Sequence, residues 1–220
     1  MKDLYIIGSG GFGREVAWLV ERINEVKPTW SIKGFIDDNE LRWGTKEGDY
    51  VVLGNCNYLK NLGEVYAVCA VGSANVRREV IEKIKDSKIK FATLIDPSVI
   101  MSERVEVGEG CIICAGTVLT VDIKIGNHVI INLDCTVGHD DIINDFVTVY
   151  PSVNISGNVV VAPQNATNTA VKYKTSDKTV ASVDKDGNVT ANAKGTATIT
   201  VTTKDGMFTS ECKVTVGDQV

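Results

Sequence analysis

The sequence predicts three architectures in series: an α/β unit on a parallel sheet, a parallel β-helix, and an all-β unit of short antiparallel strands. Three observations carry this. A glycine-rich turn, Gly8-Ser9-Gly10-Gly11-Phe12-Gly13, joins an apolar strand to an amphipathic helix. Aliphatic residues then recur at every sixth position from Ile95 to Ile155. Beyond that ladder the chain becomes threonine-rich and alternates apolar with polar residues.

The first unit covers residues 1–94. Residues 4–7 read as a buried strand. The helix after the glycine turn runs from 14 to about 26, with Val16, Leu19, Val20 and Ile23 on one face, and Lys27-Pro28 stops it. A second strand over 32–36 ends in Asp37-Asp38, a third covers 65–72, and a helix covers 75–84. This β-α-β alternation predicts a Rossmann-like parallel sheet. The turn is literally G-x-G-x-x-G. It offers free backbone N–H groups and a helix N-terminus to a phosphate, without a Cβ to block close approach. An acid closing the second strand suits ribose hydroxyls. The pattern supports a nucleotide-like ligand; the alternative is a tight strand–helix turn that binds nothing. It does not separate NAD from a nucleotide-sugar. The short length of the unit favours a mononucleotide or nucleotide-sugar over a dinucleotide.

The second unit covers residues 95–160. Counting by six gives Ile95, Met101, Val107, Ile113, Leu119, Ile125, Ile131, Val137, Ile143, Val149 and Ile155. Four residues after each stands a small or β-branched residue, from Val99 to Val159, with Asp141 the exception. This predicts a β-helix with the aliphatic set inside and the small set near the corners. At about three hexads per triangular coil, the ladder makes just under four coils. It breaks at Ala162-Pro163-Gln164-Asn165.

Two histidines are present. His128 falls on a corner and reads as solvated. His139 stands in Val137-Gly138-His139-Asp140-Asp141, where a neutral imidazole suits proton removal from an attacking amine or hydroxyl. Asp140 or Asp141 would fix its tautomer; the alternative is a surface histidine beside acids. Asp141 occupies an inward slot of the ladder, which suggests local distortion.

Composition narrows the classes. The net charge of −5 argues against a nucleic-acid or anionic-membrane surface, and no apolar run approaches the ~20 residues of a membrane span. The six cysteines are irregularly spaced and read as reduced thiols. Cys111-Ile112-Ile113-Cys114 has no second pair, so no metal is expected.

Four segments resemble bacterial sugar O-acyltransferases of the sialic acid O-acetyltransferase type and the related N-acetyltransferases of UDP-4-amino-sugars. They are residues 5–16, Gly34-Phe35-Ile36-Asp37-Asp38, Ala70-Val71-Gly72, and Ile131-Asn132 through Gly138-His139-Asp140 to Ser156-Gly157-Asn158-Val159. The resemblance implies a left-handed β-helix that holds acetyl-CoA, a nucleotide-sugar on the first unit, and an active site between the subunits of a homotrimer. It implies His139 as general base with Asp140 orienting it. It places Gly8, Gly10, Asp37, Asp38 and Asn132 at the acceptor and Gly157 near the acyl donor. Thr148 aligns where some members carry a second histidine, and the further coils that hold the CoA arm are missing here, so activity would be impaired.

Residues 161–220 hold 12 of the 19 threonines and no arginine. Period-two alternation with turns at Asp186-Gly187 and Asp205-Gly206 predicts hairpins. This segment is similar to the bacterial immunoglobulin-like domain of group 2, a β-sandwich. The acyltransferase half implies the cytoplasm, whereas the immunoglobulin-like half is normally exported. Two truncated modules joined near residue 160 would account for both. The reading is an acetyl-CoA-dependent acetyltransferase of a sugar or nucleotide-amino-sugar; the alternative is a non-catalytic chimera that binds a nucleotide-sugar.

Overall fold

The computed structural model describes residues 1–155, 170–185, 187, 189–204 and 208–216. Gly157, the break at 162–165 and the Asp205-Gly206 turn lie outside these residues.

The first unit is built on β1 (Lys2–Ile7), α1 (Gly11–Val26), β2 (Trp30–Ile36), β3 (Lys46–Glu47), β4 (Tyr50–Gly54), α2 (Cys56–Lys60), β5 (Tyr66–Cys69), α3 (Ala74–Ile84) and β6 (Lys90–Phe91). The strands form one sheet in the order β3-β4-β2-β1-β5-β6. All pairings are parallel except β3 with β4. The chain steps from β1 outward to β2, then returns to the other side of β1 for β5. The switch point therefore lies between the loops that follow β1 and β5, where open α/β sheets place ligands. Helix α1 starts three residues before the expected position, inside the glycine turn. Tertiary contact overrides glycine's poor helix propensity there, because a Cβ on Gly13 would stand 2.1 Å from the Gly8 carbonyl oxygen.

The ladder forms a parallel β-helix of two-residue strands on three faces. The first face stacks Leu94–Ile95, Ile112–Ile113, Ile130–Ile131 and Thr148–Val149. The second stacks Ile100–Met101, Val118–Leu119, Thr136–Val137 and Asn154–Ile155. The third stacks Glu106–Val107, Lys124–Ile125 and Ile142–Ile143. The second residue of every strand is the predicted hexad aliphatic. Most of these are buried, although Met101 in the first coil is exposed. The small set behaves differently from expectation: Val105, Cys111, Thr117, Ile123, Val129, Cys135 and Asp141 are also buried, so both sets fill the interior. The corners fall one residue earlier, where Gly110, Gly116, Asp122, His128, Asp134, Asp140, Phe146 and Ser152 have φ between 54° and 77°. These corners turn through the left-handed region, which Gly and Asp tolerate best.

The outward residue of each strand tells where the first unit sits. On the first face Leu94, Ile112 and Ile130 are buried in one cluster with Val16, Leu19 and Val20 of α1 and the sheet residues Leu4, Ile6 and Phe35. Helix α1 is thus packed between the sheet and the β-helix. The opposite side of the sheet is covered by α2 and α3 through Cys56, Leu59, Val80, Ile81 and Ile84. On the other β-helix faces the outward set includes exposed Glu106, Lys124 and Thr136.

The tail has a three-stranded antiparallel sheet, Val171–Thr175, Gly195–Thr203 and Thr209–Val216, with the longest strand central. Ala181–Val183 pairs antiparallel with Val189–Ala191. Gly187, at φ 89°, lies between these two strands as the turn prediction required. Its buried cluster is small: Val180, Ala181, Ala197 and Val216.

Candidate functional site

The glycine turn closes on the acid that ends β2. Asp37 Oδ2 accepts from the Ser9 amide at 3.1 Å and from its hydroxyl, while Oδ1 accepts from the Asn39 amide at 3.0 Å. Burial opposes the Asp37 charge, but these hydrogen bonds and nearby Arg42 hold its carboxyl below the usual range. Arg42, in a 3₁₀ turn at Glu40–Arg42, donates to the Ser9 carbonyl at 2.9 Å and to Glu47 at 2.6 Å. Arg14 of α1 donates to the same Glu47 at 2.9 Å. Both Asp37 oxygens therefore shape the turn. Asp38 is more exposed and pairs with Lys83 of α3 at 3.1 Å.

Gly8 has φ +100° and lies against the Ala70 carbonyl, a geometry that excludes a side chain. Gly10 is the N-cap of α1 and has open space where a Cβ would stand. Neither α1 nor α3 has a side-chain cap, so both present unpaired first-turn N–H groups beside the switch point. Two converging helix N-termini and an open glycine turn suit an anion such as a diphosphate.

His139 lies on the corner between the second and third faces. Its Nδ1 is 2.7 Å from Asp140 Oδ2, and both side chains are largely exposed. Asp140 is the left-handed corner residue, φ 63°, so backbone geometry sets the pair side by side. A proton on Nδ1 makes this contact a hydrogen bond and leaves Nε2 with a free lone pair, the form a general base needs. Asp141 is buried in the ladder slot without the expected distortion: the strands Lys124–Ile125 and Ile142–Ile143 pair in register, and the Lys124 amide donates to the Asp141 carbonyl at 2.9 Å. Asn132 sits on the corner after Ile131; its Oδ1 accepts from the Leu133 amide at 2.8 Å and its carbonyl from Thr117 Oγ1 at 3.1 Å. The third face bears a groove of about 340 Å³ lined by Glu106, Gly108, Lys124, Gly126, Ile142 and Asp145 among others, reaching towards the corner that follows this face rather than the His139 corner that precedes it.

His128 corrects the sequence reading. It does sit on a corner, but it is 5% exposed rather than solvated. Phe91 of β6 meets its ring edge-on at 4.7 Å and Phe146 stacks on it at 5.1 Å. Burial, reinforced by Arg77, pushes its pKa down to about 4. The ladder alone gave no sign that Phe91, which precedes it in the chain and lies outside the repeat, would cover this corner. Among the described residues five cysteines are buried and unpaired and Cys212 is exposed; no group of metal-ligating side chains gathers. No described helix is long and apolar enough to cross a membrane.

Comparison with known proteins fits this geometry. Residues 3–84 match the PglD N-terminal domain, and residues 144–214 match the bacterial Ig-like domain (group 2). The immunoglobulin-like match starts inside the β-helix, ahead of Thr148–Val149. GDP-perosamine N-acetyltransferase of Escherichia coli O157:H7 is 28% identical over 162 residues, which are 72% of this chain and 72% of that protein. UDP-N-acetylbacillosamine N-acetyltransferase of Bacillus subtilis (strain 168) is 33% identical over 117 residues, 52% of each. Among solved structures, the acetyltransferase domain of PglB from Neisseria gonorrhoeae FA1090, in complex with acetyl coenzyme A, is 27% identical with a TM-score of 0.62. That alignment covers 71% of this chain and 74% of the other. The PglD-type unit and the β-helix thus share their fold with sugar N-acetyltransferases.

The sequence reading missed Ser9, Arg42, Glu47 and Arg77. For Arg77 a signal existed: it shares the buried stripe of α3 with Val80, Ile81 and Ile84, at helical spacing where an arginine is out of place.

Proposed function

We propose that this chain transfers an acetyl group from acetyl-CoA to the amine of a nucleotide-linked amino-sugar. The observation that carries the reading is the His139–Asp140 pair, exposed on a corner of an acetyltransferase-type β-helix. The nucleotide-sugar would lie at the switch point. Its diphosphate would meet the amides around Gly8 and Gly10 and the first turn of α3, with Asp37 holding the turn in shape and Asp38 beside it. Asn132 would line the acceptor pocket and Gly157 the donor side. His139 Nε2 takes the proton from the amine as nitrogen attacks the thioester carbonyl; Asp140 supports the resulting imidazolium. The tetrahedral intermediate then collapses, with CoA thiolate leaving and taking up a proton. The third-face groove, open on the surface of one chain, is assigned to the acyl donor in a homotrimer with a left-handed β-helix. The setting is the cytoplasm, where nucleotide-sugars and acetyl-CoA are available. The immunoglobulin-like unit is assigned no part in the chemistry.

Calorimetric titration with acetyl-CoA and with UDP- and GDP-linked 4-amino-sugars tests binding, and thioester consumption tests transfer. Turnover that falls about 10²- to 10⁴-fold in His139→Ala, with nucleotide-sugar affinity kept, supports the assignment. Full activity in that variant would overturn the base. Nucleotide-sugar binding without acetyl-CoA binding or transfer favours a non-catalytic binding protein.

A further inference from the structure

Arg77 is completely buried, and among the described residues its hydrogen-bond partners include no carboxylate. Its guanidinium is spread over two units. On the first-unit side it donates to the carbonyls of Val71 and Gly72, at 2.6 and 3.1 Å. On the β-helix side it donates to the carbonyls of His128, Phe146 and Val147, at 2.9, 2.6 and 3.2 Å, and to Thr148 Oγ1 at 3.0 Å. Thr148 completes the joint by donating to the Gly72 carbonyl at 2.8 Å.

The acceptors explain why an arginine stands here. His128 and Phe146 are corner residues of successive coils, 18 positions apart in the β-helix repeat. The carbonyls gathered at this edge need donors, and a planar fork with five N–H groups reaches acceptors in several directions at once. An ammonium has three donors on one nitrogen and cannot span both coils and the loop. Burying a cation without a counter-charge is costly unless its donors are satisfied, and here every direction meets oxygen.

The joint also has a functional location. Val71 and Gly72 belong to the loop after β5, one wall of the switch point at which the nucleotide-sugar is placed above. Thr148 lies on the coil that follows the His139 corner. One side chain therefore ties the acceptor loop to the β-helix of its own chain, whose packing in the homotrimer proposed above would set that loop against a His139 corner.

We propose that Arg77 is a positioning residue: with Thr148 it holds the acceptor loop 70–73 at a fixed place relative to the β-helix that carries His139. This rests on the acetyltransferase reading. Reaction geometry is sensitive to displacements of about 1 Å, which cost on the order of 10²-fold in rate. Loss of the joint should therefore lower kcat while each half-site still binds its own ligand.

The test compares the full chain with Arg77→Lys, Thr148→Val and the double variant, each checked for a cooperative melt. Acetyl transfer is assayed with the nucleotide-amino-sugar that the unaltered chain uses. The expected result for Arg77→Lys is a kcat lowered about 10- to 100-fold, with KM and the calorimetric Kd for both substrates within about threefold. Thr148→Val should lower kcat about threefold, and the double variant should fall short of the product of the two effects, because they share one joint. If Arg77→Lys does not fold, the kcat of Thr148→Val decides. A kcat within twofold of the parent in the folded variants, or a loss confined to KM, would overturn the positioning role and leave the acetyltransferase reading standing. No transfer by the unaltered chain would overturn both, and the parent assay alone identifies that case.

Discussion

Two arginines join the PglD-type unit to the β-helix, and they do so by opposite means. Arg22 of α1 reaches a carboxylate: its Nε and guanidinium nitrogen donate to the two oxygens of Asp96 at 2.6 and 3.0 Å. The Asp96 side chain is almost fully buried, but the Arg22 side chain is about one-third exposed. Burial pushes the Asp96 carboxyl up, yet hydrogen bonds from Arg22 and Ser98 outweigh it and hold it at about 2. Arg77 of α3 reaches only carbonyls and a hydroxyl, and burial pushes its guanidinium down to about 10 without neutralising it near pH 7. The first joint keeps one foot in water and is paired charge to charge. The second is dry and depends on hydrogen-bond geometry. Water can replace a partner at the partly exposed Arg22 joint, whereas the dry Arg77 cradle has no such substitute for a lost donor.

The largest break in this comparison is Arg77→Met. It leaves several buried carbonyls without donors, and about 3 kcal/mol or more of stability should be lost. Chemical denaturation followed by tryptophan emission would read it; a loss below about 1 kcal/mol would mean that water replaces the guanidinium freely.

Acid should separate the joints. His128 sits beside Arg77, and its pKa of about 4 in the folded chain lies below the ~6.5 of an unfolded histidine. Between those values the unfolded chain binds the extra proton, so stability is full above about pH 6.5 and falls as pH drops towards 4. The loss should be about 3 kcal/mol. Melting temperature against pH reads it, and His128→Asn, which tolerates the left-handed corner, should flatten that slope. A slope unchanged in His128→Asn would assign the acid loss to other groups.

The Arg22–Asp96 joint should yield only at lower pH. The folded pKa of Asp96 is depressed from the ordinary value near 4, so its stabilisation is present above about pH 4 and disappears as pH falls to about 2. Partial exposure of Arg22 screens the pair, so Asp96→Asn should cost about 1 kcal/mol at neutral pH. Equal losses for Asp96→Asn and Arg77→Met would erase the distinction between the joints. The smallest effect belongs to Thr148→Val, which removes one hydroxyl from the Arg77 cradle and should cost about 1 kcal/mol or less in the same denaturation experiment.

The tail offers a contrast in kind. The β-helix buries a continuous column of aliphatic residues from Val105 to Val149, whereas the described part of the immunoglobulin-like unit buries four small or medium apolar side chains. Both were legible in the sequence because both obey short periods. The hexad repeat placed every β-helix strand, and period-two alternation with Asp-Gly placed the hairpin at Gly187. Less legible was which side of each coil faces water. The pairs Ile112–Ile113 and Ile130–Ile131 carry two adjacent isoleucines, one for the interior and one for α1. The second isoleucine was a sign of a covered face, but it did not name the cover.

Local rules therefore determined the elements of this protein. They gave the strand–glycine–helix turn, the six-residue ladder, the position of His139 beside an acid, and the threonine-rich hairpins, because each depends on residues close in sequence. Tertiary structure alone decided the fate of His128, Arg77 and Asp96. His128 is buried because Phe91 and Phe146 close over it, Arg77 is a joint because α3 brings it to two coil corners, and Asp96 stays charged because α1 delivers Arg22 from 74 residues away. Desolvation and hydrogen bonding act through space, and no sequence period encodes which distant surface will arrive to supply them.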